Sequence, residues 1–414
     1  MESAAVVVIG GGVIGASVAY HLCRAGVTDV LVLERNTLSS GATPRAAGLI
    51  THGRADANVI GMMGRTIAAI AELENLLGEP IEFRPVGSIR SVATEAGERA
   101  LAAIESALHM AGTPLEVIDA RRAREACPWL DLSGARRTLF FPRDGHVDGA
   151  RLGMAYARAA RRLGARVRQG VEVQGLLREG NTVTGVLTSA GPVRAQQVVD
   201  AAGAWAGVVS EWAGWAFPAT PTRSQYWMTA PDGNGPPTMP IVQLPELHAY
   251  LRPEVGGLVV GLQEPNSTTF DPFELPTDMG AVPVRDQAGD LDFLIARADA
   301  LRTVIPGIDD WRFVHHITGL SMYTPDGNFV IGRPDGVEGL IAAGGCCGSG
   351  VAASGGFGEA VASLVTGQPC GIDMVPFRPS RFGGVGARDE AFRQRCSAAR
   401  GGKSGLPPGG GHPA

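Results

Sequence analysis

Val6-Val7-Val8-Ile9-Gly10-Gly11-Gly12-Val13-Ile14-Gly15 is the stretch on which the fold reading turns. A β-branched run leads straight into G-x-G-x-x-G, and a helix with one apolar face follows over Gly15 to Ala25. Gly10 permits a tight turn, Gly12 lets the backbone approach a pyrophosphate, and Gly15 allows the helix to pack on the sheet. The helix start, with Val13 and Ile14 beside it, offers unpaired N–H groups and partial positive charge to phosphates. A second strand, Val30 to Leu33, closes on Glu34, nineteen residues after Gly15. An acid there accepts hydrogen bonds from ribose hydroxyls and clashes with a 2′-phosphate, which disfavours NADP. Strand, turn, helix and terminal acid together predict a dinucleotide site; the plainer alternative is a glycine-rich turn in some other α/β protein.

Leu33-Glu34-Arg35 runs on into Ser39-Ser40-Gly41-Ala42-Thr43-Pro44-Arg45-Ala46-Ala47-Gly48. This loop of small residues suits a flat ring system and favours FAD over a nicotinamide cofactor. With 414 residues the chain is expected to form more than one core. A net charge of -5 argues against nucleic acid as a partner, since phosphate-backbone binding needs a basic surplus. No run of apolar residues is long enough for a membrane span. The six cysteines show neither CxxC spacing nor pairing with histidines, so no metal site is expected and a reducing cytoplasm is the expected location.

Further along, helical periodicity covers residues 57–78, strand-like alternation Gly87 to Ala93, and helix again Glu98 to Ala111. A second α/β stretch begins at Asp148, with a helix over Gly149 to Leu163 and strands at Ala165 to Arg168, Gly175 to Arg178, Val183 to Thr188 and Val198 to Ala202. From Pro218 to Phe313 the character shifts to prolines, aromatics and short strands. A glycine-dense stretch, Gly344 to Gly358, precedes a final helix near Glu359 to Val365. The expected fold is α/β: a Rossmann-like FAD-binding domain (1–80, 145–215 and 318–378) interleaved with an antiparallel-sheet α+β substrate domain (81–144 and 216–317). The remainder, 379–414, is rich in Gly, Pro, Arg and Lys and is expected to be a disordered tail.

Four blocks together resemble the D-amino-acid oxidase superfamily of flavoproteins, in its glycine/sarcosine oxidase and dimethylglycine dehydrogenase branch. They are the fingerprint with Glu34 and Ala46-Ala47-Gly48; Gly145-His146-Val147-Asp148 with Val171-Glu172-Val173; Val198-Val199-Asp200-Ala201-Ala202-Gly203-Ala204-Trp205; and Thr324-Pro325-Asp326-Gly327 with Ile331-Gly332 and Ala342-Ala343-Gly344-Gly345. The resemblance spans about Val6 to Val365. It implies that the Val173 backbone reads the adenine and that Ala202, Gly203 and Trp205 pass near ribose and pyrophosphate. It also implies that Gly345, Gly348, Ser349, Gly350 and Val351 place N–H groups near the flavin, where positive dipole stabilises its reduced anion. Arg35, Arg45 and Gly319 complete the expected cofactor contacts.

Several departures from the family shape the expected chemistry. Arg45 stands where a histidine links covalently to flavin in dimethylglycine and sarcosine dehydrogenases, and the region of the monomeric sarcosine oxidases' linking cysteine falls around Ser321. FAD is therefore expected to be non-covalent. Ser321 also occupies the position of the arginine that clamps the substrate carboxylate, which leaves Arg252 or Arg223 as substitute cations, or a substrate without an α-carboxylate. No folate-binding extension like that of those dehydrogenases is expected in the stretch after Val365, so the imine is expected to hydrolyse.

Tyr250, in Tyr250-Leu251-Arg252-Pro253, matches a tyrosine that borders the substrate, and Tyr226 lies on the preceding substrate-domain strand. His52, after the flavin loop, is a candidate to face the isoalloxazine, and His315-His316 a candidate to steer protonation. Each has a structural alternative as an ordinary strand or core side chain. The expected reaction is oxidation of a C–H bond beside an amine, with a neutral small-molecule amine as substrate and oxygen or another acceptor at the end. Oxidation of a C–O bond, as in a 2-hydroxy acid, and a non-catalytic regulatory role are the rivals.

Overall fold

The alternation inside the opening run decides the first layer. Val6 and Val8 point into one hydrophobic cluster and Val7 and Ile9 into another, so strand Glu2–Ile9 is covered on both faces, as a parallel strand buried in the middle of an α/β sheet must be. The computed structural model describes residues 2–284 and 287–404. Glu2–Ile9 sits at the centre of an eight-stranded sheet, parallel to Val30–Glu34 on one side and Gly191–Asp200 on the other. Arg166–Gln169 continues the sheet beyond Val30–Glu34, while Leu340–Gly344 and Val330–Gly332 continue it beyond Gly191–Asp200. Val173–Glu179 and Thr182–Thr188 fold antiparallel onto the edge of Gly191–Asp200.

Helices Val13–Arg24, Ala57–Leu77, Gly149–Arg162 and Ser354–Thr366 pack together on one face. Each of the first three ends its apolar face in a polar cap or basic last turn; Ala57–Leu77, for example, starts on the Asp56 carboxylate, which accepts from Asn58 and Val59 N–H. The other face carries Val183, Val186, Val193 and Val209.

A second eight-stranded sheet runs in the order Phe313–Tyr323, Thr220–Thr229, Gly257–Leu262, Ala249–Glu254, Ile241–Leu244, Ser88–Val92, Arg137–Phe141, Glu116–Val117. It is antiparallel throughout apart from the parallel pair of Ile241–Leu244 with Ser88–Val92. The chain enters and leaves this sheet more than once, so the two sheets are interleaved in sequence. Strand Phe313–Tyr323 crosses the expected 317/318 boundary and belongs with the second sheet along its whole length.

Two expectations are corrected. The final helix starts earlier than Glu359: it begins at Ser354, and Gly355, Gly356 and Gly358 lie inside it. The expected tail is ordered through residue 404. Helix Glu390–Gly401 is capped by Asp389, whose carboxylate accepts from Phe392 N–H at 2.6 Å, and it buries Phe392 and Cys396 against Tyr323 and Cys347. Two apolar residues one turn apart are enough for a helix that has a cap and a surface to dock on. Residues 405–414 of the expected tail lie outside the described residues.

Candidate functional site

A cleft of about 570 Å³ runs along the seam between the two sheets, bounded by the fingerprint turn at one end and by the second sheet at the other. Gly10, Gly12, Val13, Ile14, Glu34, Arg35, Arg45, Ala46, Ala47 and Gly48 all line it. So do Val173, Ala202, Gly203, Trp205, Gly319, Gly345, Gly348, Ser349, Gly350 and Val351. Gly15 does not. A Cβ on it would lie 2.0 Å from the Gly10 carbonyl oxygen, so its part is to let the helix close on the turn behind the cleft.

Glu34 is held in place before any ligand arrives. Its Oε2 accepts from Gly11 N–H and its Oε1 from Asn36 N–H, each at 2.8 Å. Each carboxylate oxygen keeps a further lone pair for a hydroxyl. Thr43, which lines the cleft within the small-residue loop, accepts from Val13 N–H through Oγ1 at 3.0 Å and ties that loop to the helix start. A Cβ on Gly12 would press on that same hydroxyl at 3.3 Å, so glycine keeps this turn bare. Arg35 stacks 3.9 Å over the Trp205 ring, forming a flat wall beside Glu34. Burial of Cys346 pushes its thiol up to about 12, so this cleft-lining sulfur is held as a thiol.

At the other end the register of the second sheet aligns one residue from each of five strands. Tyr226 and Tyr250 are both paired with Gly261, Tyr250 also with Gln243, and Gln243 with Arg90. Gly261 is required here because a Cβ would fall 1.8 Å from Tyr250 Cζ; the ring lies over its backbone. Both tyrosines line the cleft, and neither hydroxyl has a protein hydrogen-bond partner among the described residues. Burial raises both phenols, Tyr226 to about 12, so both hydroxyls stay protonated donors. Ser321 also lines this end, its Oγ 3.4 Å from Ser224 Oγ.

Other candidates are placed differently. His52 is buried outside the cleft lining, its Nδ1 2.7 Å from Asp144 Oδ1, which also accepts from the His52 N–H at 2.9 Å. Asp144 is fully buried and takes Ser88 Oγ as well, so His52 fastens the loop to the second sheet instead of facing a ligand. Arg252 is not the substitute cation: Nε donates to the Ala47 carbonyl at 2.6 Å and Nη1 to Pro253 and to Glu254. Arg223 is buried and spent on Glu264, Asp290 and the Val284 carbonyl. His315 is exposed, and His316 stacks on Trp227 at 4.6 Å and meets the cleft-lining Gln225; neither histidine lines the cleft itself.

The cations that do line the substrate-sheet end are Arg54, Arg90, Arg400 and Lys403. Arg90 donates to the Gly53 carbonyl and to Gln243, each at 3.0 Å. Sequence reading passed these four over. Arg54 and Arg90 carry no motif, and the other two belong to the segment read as a tail.

The cleft's donor set fits an FAD molecule: an acid with free lone pairs beside a stacked wall, a glycine turn opening on a helix start, and a second glycine bend Gly344–Val351 further along. Comparison with known proteins gives the class. The family model described as FAD dependent oxidoreductase matches residues 5–364, and the chain belongs to that family of flavoproteins. It is 31% identical over 379 residues to a 4-methylaminobutanoate oxidase (formaldehyde-forming) of Paenarthrobacter nicotinovorans, covering 91% of this chain and 45% of that protein. It is 30% identical over 391 residues to the mitochondrial dimethylglycine dehydrogenase of Homo sapiens, covering 92% and 45%. The chain thus spans about half the length of these relatives. Among solved structures it is similar to an L-proline dehydrogenase from P. horikoshii, with a TM-score of 0.81, 26% identity and coverage of 92% and 98%. No described helix is long and apolar enough to cross a membrane.

Proposed function

We propose that this chain oxidises the C–H bond beside the nitrogen of a small amine to an imine, which water then hydrolyses. The observation that carries this is the pair of tyrosines flanking Gly261, with free hydroxyls over a cleft whose other end suits adenosine diphosphate. The relatives' names point the same way: methylaminobutanoate, dimethylglycine and proline all offer a C–H bond next to nitrogen. In this reading the first sheet with its helices is the cofactor half and the second sheet the substrate half.

Glu34 would hold the ribose hydroxyls, the Val13 turn the pyrophosphate, Val173 the adenine, and Gly345 to Val351 the ring end. When bound, FAD supplies the acceptor for a hydride. The rest is the protein's work. Tyr250 and Tyr226 wall the pocket and orient the amine through their hydroxyls. The buried, cation-lined end disfavours an ammonium ion, so the nitrogen keeps the lone pair that expels the hydride.

What stands nearby supports non-covalent attachment. Arg45 is tied to the Ser40 and Gly41 carbonyls, each at 2.6 Å, Ser321 has no thiol, and Cys346 is not a thiolate. All six cysteines are free thiols, which supports a reducing, cytoplasmic setting. Oxygen or another carrier would reoxidise the cofactor.

The test is the visible spectrum of purified protein before and after acid precipitation, followed by an amine panel under nitrogen. Flavin released into the supernatant and bleached by amines is the expected result. Bleaching by 2-hydroxy acids and by no amine would overturn the reading.

A further inference from the structure

Helix Glu390–Gly401 turns one stripe inward: Phe392, Cys396 and, one turn later, Arg400. The first two are ordinary core. The third is a guanidinium only 4% exposed, and a buried charge is costly unless something pairs with it. Among the described residues no carboxylate does, and the guanidinium otherwise only overlies the Tyr323 ring, 5.8 Å from its centroid. Arg400 Nε donates to Ser224 Oγ at 3.3 Å, while Nη1 is buried with no partner and the residue forms no ion pair among the described residues. The acid drawn toward it, Glu264, is already engaged by Arg223.

Two more cations share this wall. Lys403 lines the same cleft, its Nζ 2.5 Å from where a Gly348 Cβ would sit, with the Tyr323 hydroxyl 2.7 Å from the same point. The Arg54 side chain, also lining, donates among the described residues only to the neighbouring Gly53 carbonyl. Burial, then the charges of Arg400 and Arg54, hold the Lys403 ammonium well below its ordinary value, as crowded like charges without an anion must. Arg400 reaches this wall beside Ser321, through the contact from Arg400 to Ser224 and from Ser224 to Ser321. The position that carries no cation in sequence therefore has one in space, delivered by a helix near the other end of the chain.

We infer that Arg400, flanked by Lys403 and Arg54, binds a carboxylate on the amine substrate, so that the C-terminal helix selects amino acids and N-alkyl amino acids over plain amines. This deepens the amine-oxidation reading and rests on it for the identity of the substrate's other end. A guanidinium whose buried Nη1 has no protein partner among the described residues suits the planar two-oxygen acceptor. The pyrophosphate-binding turn lies at the far end of the cleft, so the cations are not needed there.

The experiment compares the holoenzyme with Arg400→Met and Arg400→Lys. Acetate, propionate and inorganic phosphate are titrated by calorimetry and by the change in the flavin spectrum. N-methyl amino acids are then set against N-methylalkylamines of equal length in anaerobic flavin reduction. We expect Arg400→Met to weaken carboxylate binding about 10- to 100-fold. The half-saturating concentration should rise by a similar factor more for the carboxylate-bearing amines than for the others, and Arg400→Lys should restore part of it. Equal losses on both amine series, unchanged carboxylate binding, or phosphate binding as well as the carboxylates would each overturn the inference. If no amine reduces the wild-type flavin, the amine reading fails, and the carboxylate titrations on the two variants still decide this one.

Discussion

Glu34 serves the protein twice, which makes its removal informative. Its two oxygens close the Gly11 and Asn36 amides at 2.8 Å, and the remaining lone pairs are where adenosine's ribose would bind. Glu34→Ala should weaken FAD binding about 10- to 100-fold, the range for losing charge-assisted hydrogen bonds. Titrating FAD into deflavinated protein measures this, and an unaltered affinity would remove Glu34 from the site. Asp200, at the end of its strand, is the other acid worth changing. It is fully buried, its Oδ1 accepts from Ala202 N–H at 3.1 Å, and burial raises its carboxyl to about 8. The folded form therefore holds a proton that the unfolded chain releases near pH 4, so stability declines as pH climbs from about 4 to about 8. Asp200→Asn should match the wild type in thermal midpoint at pH 5 and exceed it at pH 9; a difference independent of pH would contradict the burial argument. At this scale the sequence discloses Glu34 because its partners lie within a local βαβ unit. It conceals the duties of His52 and Arg252, whose partners Asp144 and Ala47 are 92 and 205 residues away.

Helix Ser354–Thr366, expected near Glu359 to Val365, shows how an element's first turn can be missed although its second half is read correctly. Its glycines look like a turn, yet they are the means by which two helices touch. A Cβ on Gly355 would stand 2.7 Å from backbone atoms of Arg65 and Thr66 in helix Ala57–Leu77, and the Gly355 N–H donates to Thr66 Oγ1 at 2.9 Å. No side-chain rotation relieves a clash with backbone, so Gly355→Ala should cost about 1–3 kcal/mol as the helices are forced apart. A fall in the urea midpoint at constant slope would show it, and an unchanged midpoint would mean that the helices are not in contact. The first strand and helix were legible because their apolar pattern is continuous. The C-terminal helix was not, because its buried stripe is two apolar residues and an arginine, a pattern that becomes a core face only once Tyr323 and Cys347 are beside it.

Across the whole molecule the cleft is polarised by segments that are far apart in sequence. Glu34 and Glu172 are the carboxylates in its lining, while Arg54, Arg90, Arg400 and Lys403 gather at the opposite end from a loop, a strand, the helix Glu390–Gly401 and the short turn Gly402–Ser404 after it. No local pattern could announce that arrangement, since it exists only when the two sheets meet. It has a kinetic consequence. An amine entering the cationic, half-buried end meets desolvation and like charge together, and both lower the pKa of its ammonium form. The protonated amine has no lone pair to expel a hydride. Flavin reduction should therefore quicken about tenfold per pH unit on the acid side of the bound amine's pKa and level off above it. The levelling point should lie well below that of the same amine in water. Stopped-flow bleaching under nitrogen from about pH 6 to 9 measures the limb directly. A flat profile over that range, or one falling with pH, would mean that the cations do not act on the nitrogen, and the assignment of this end of the cleft to the amine would have to be abandoned.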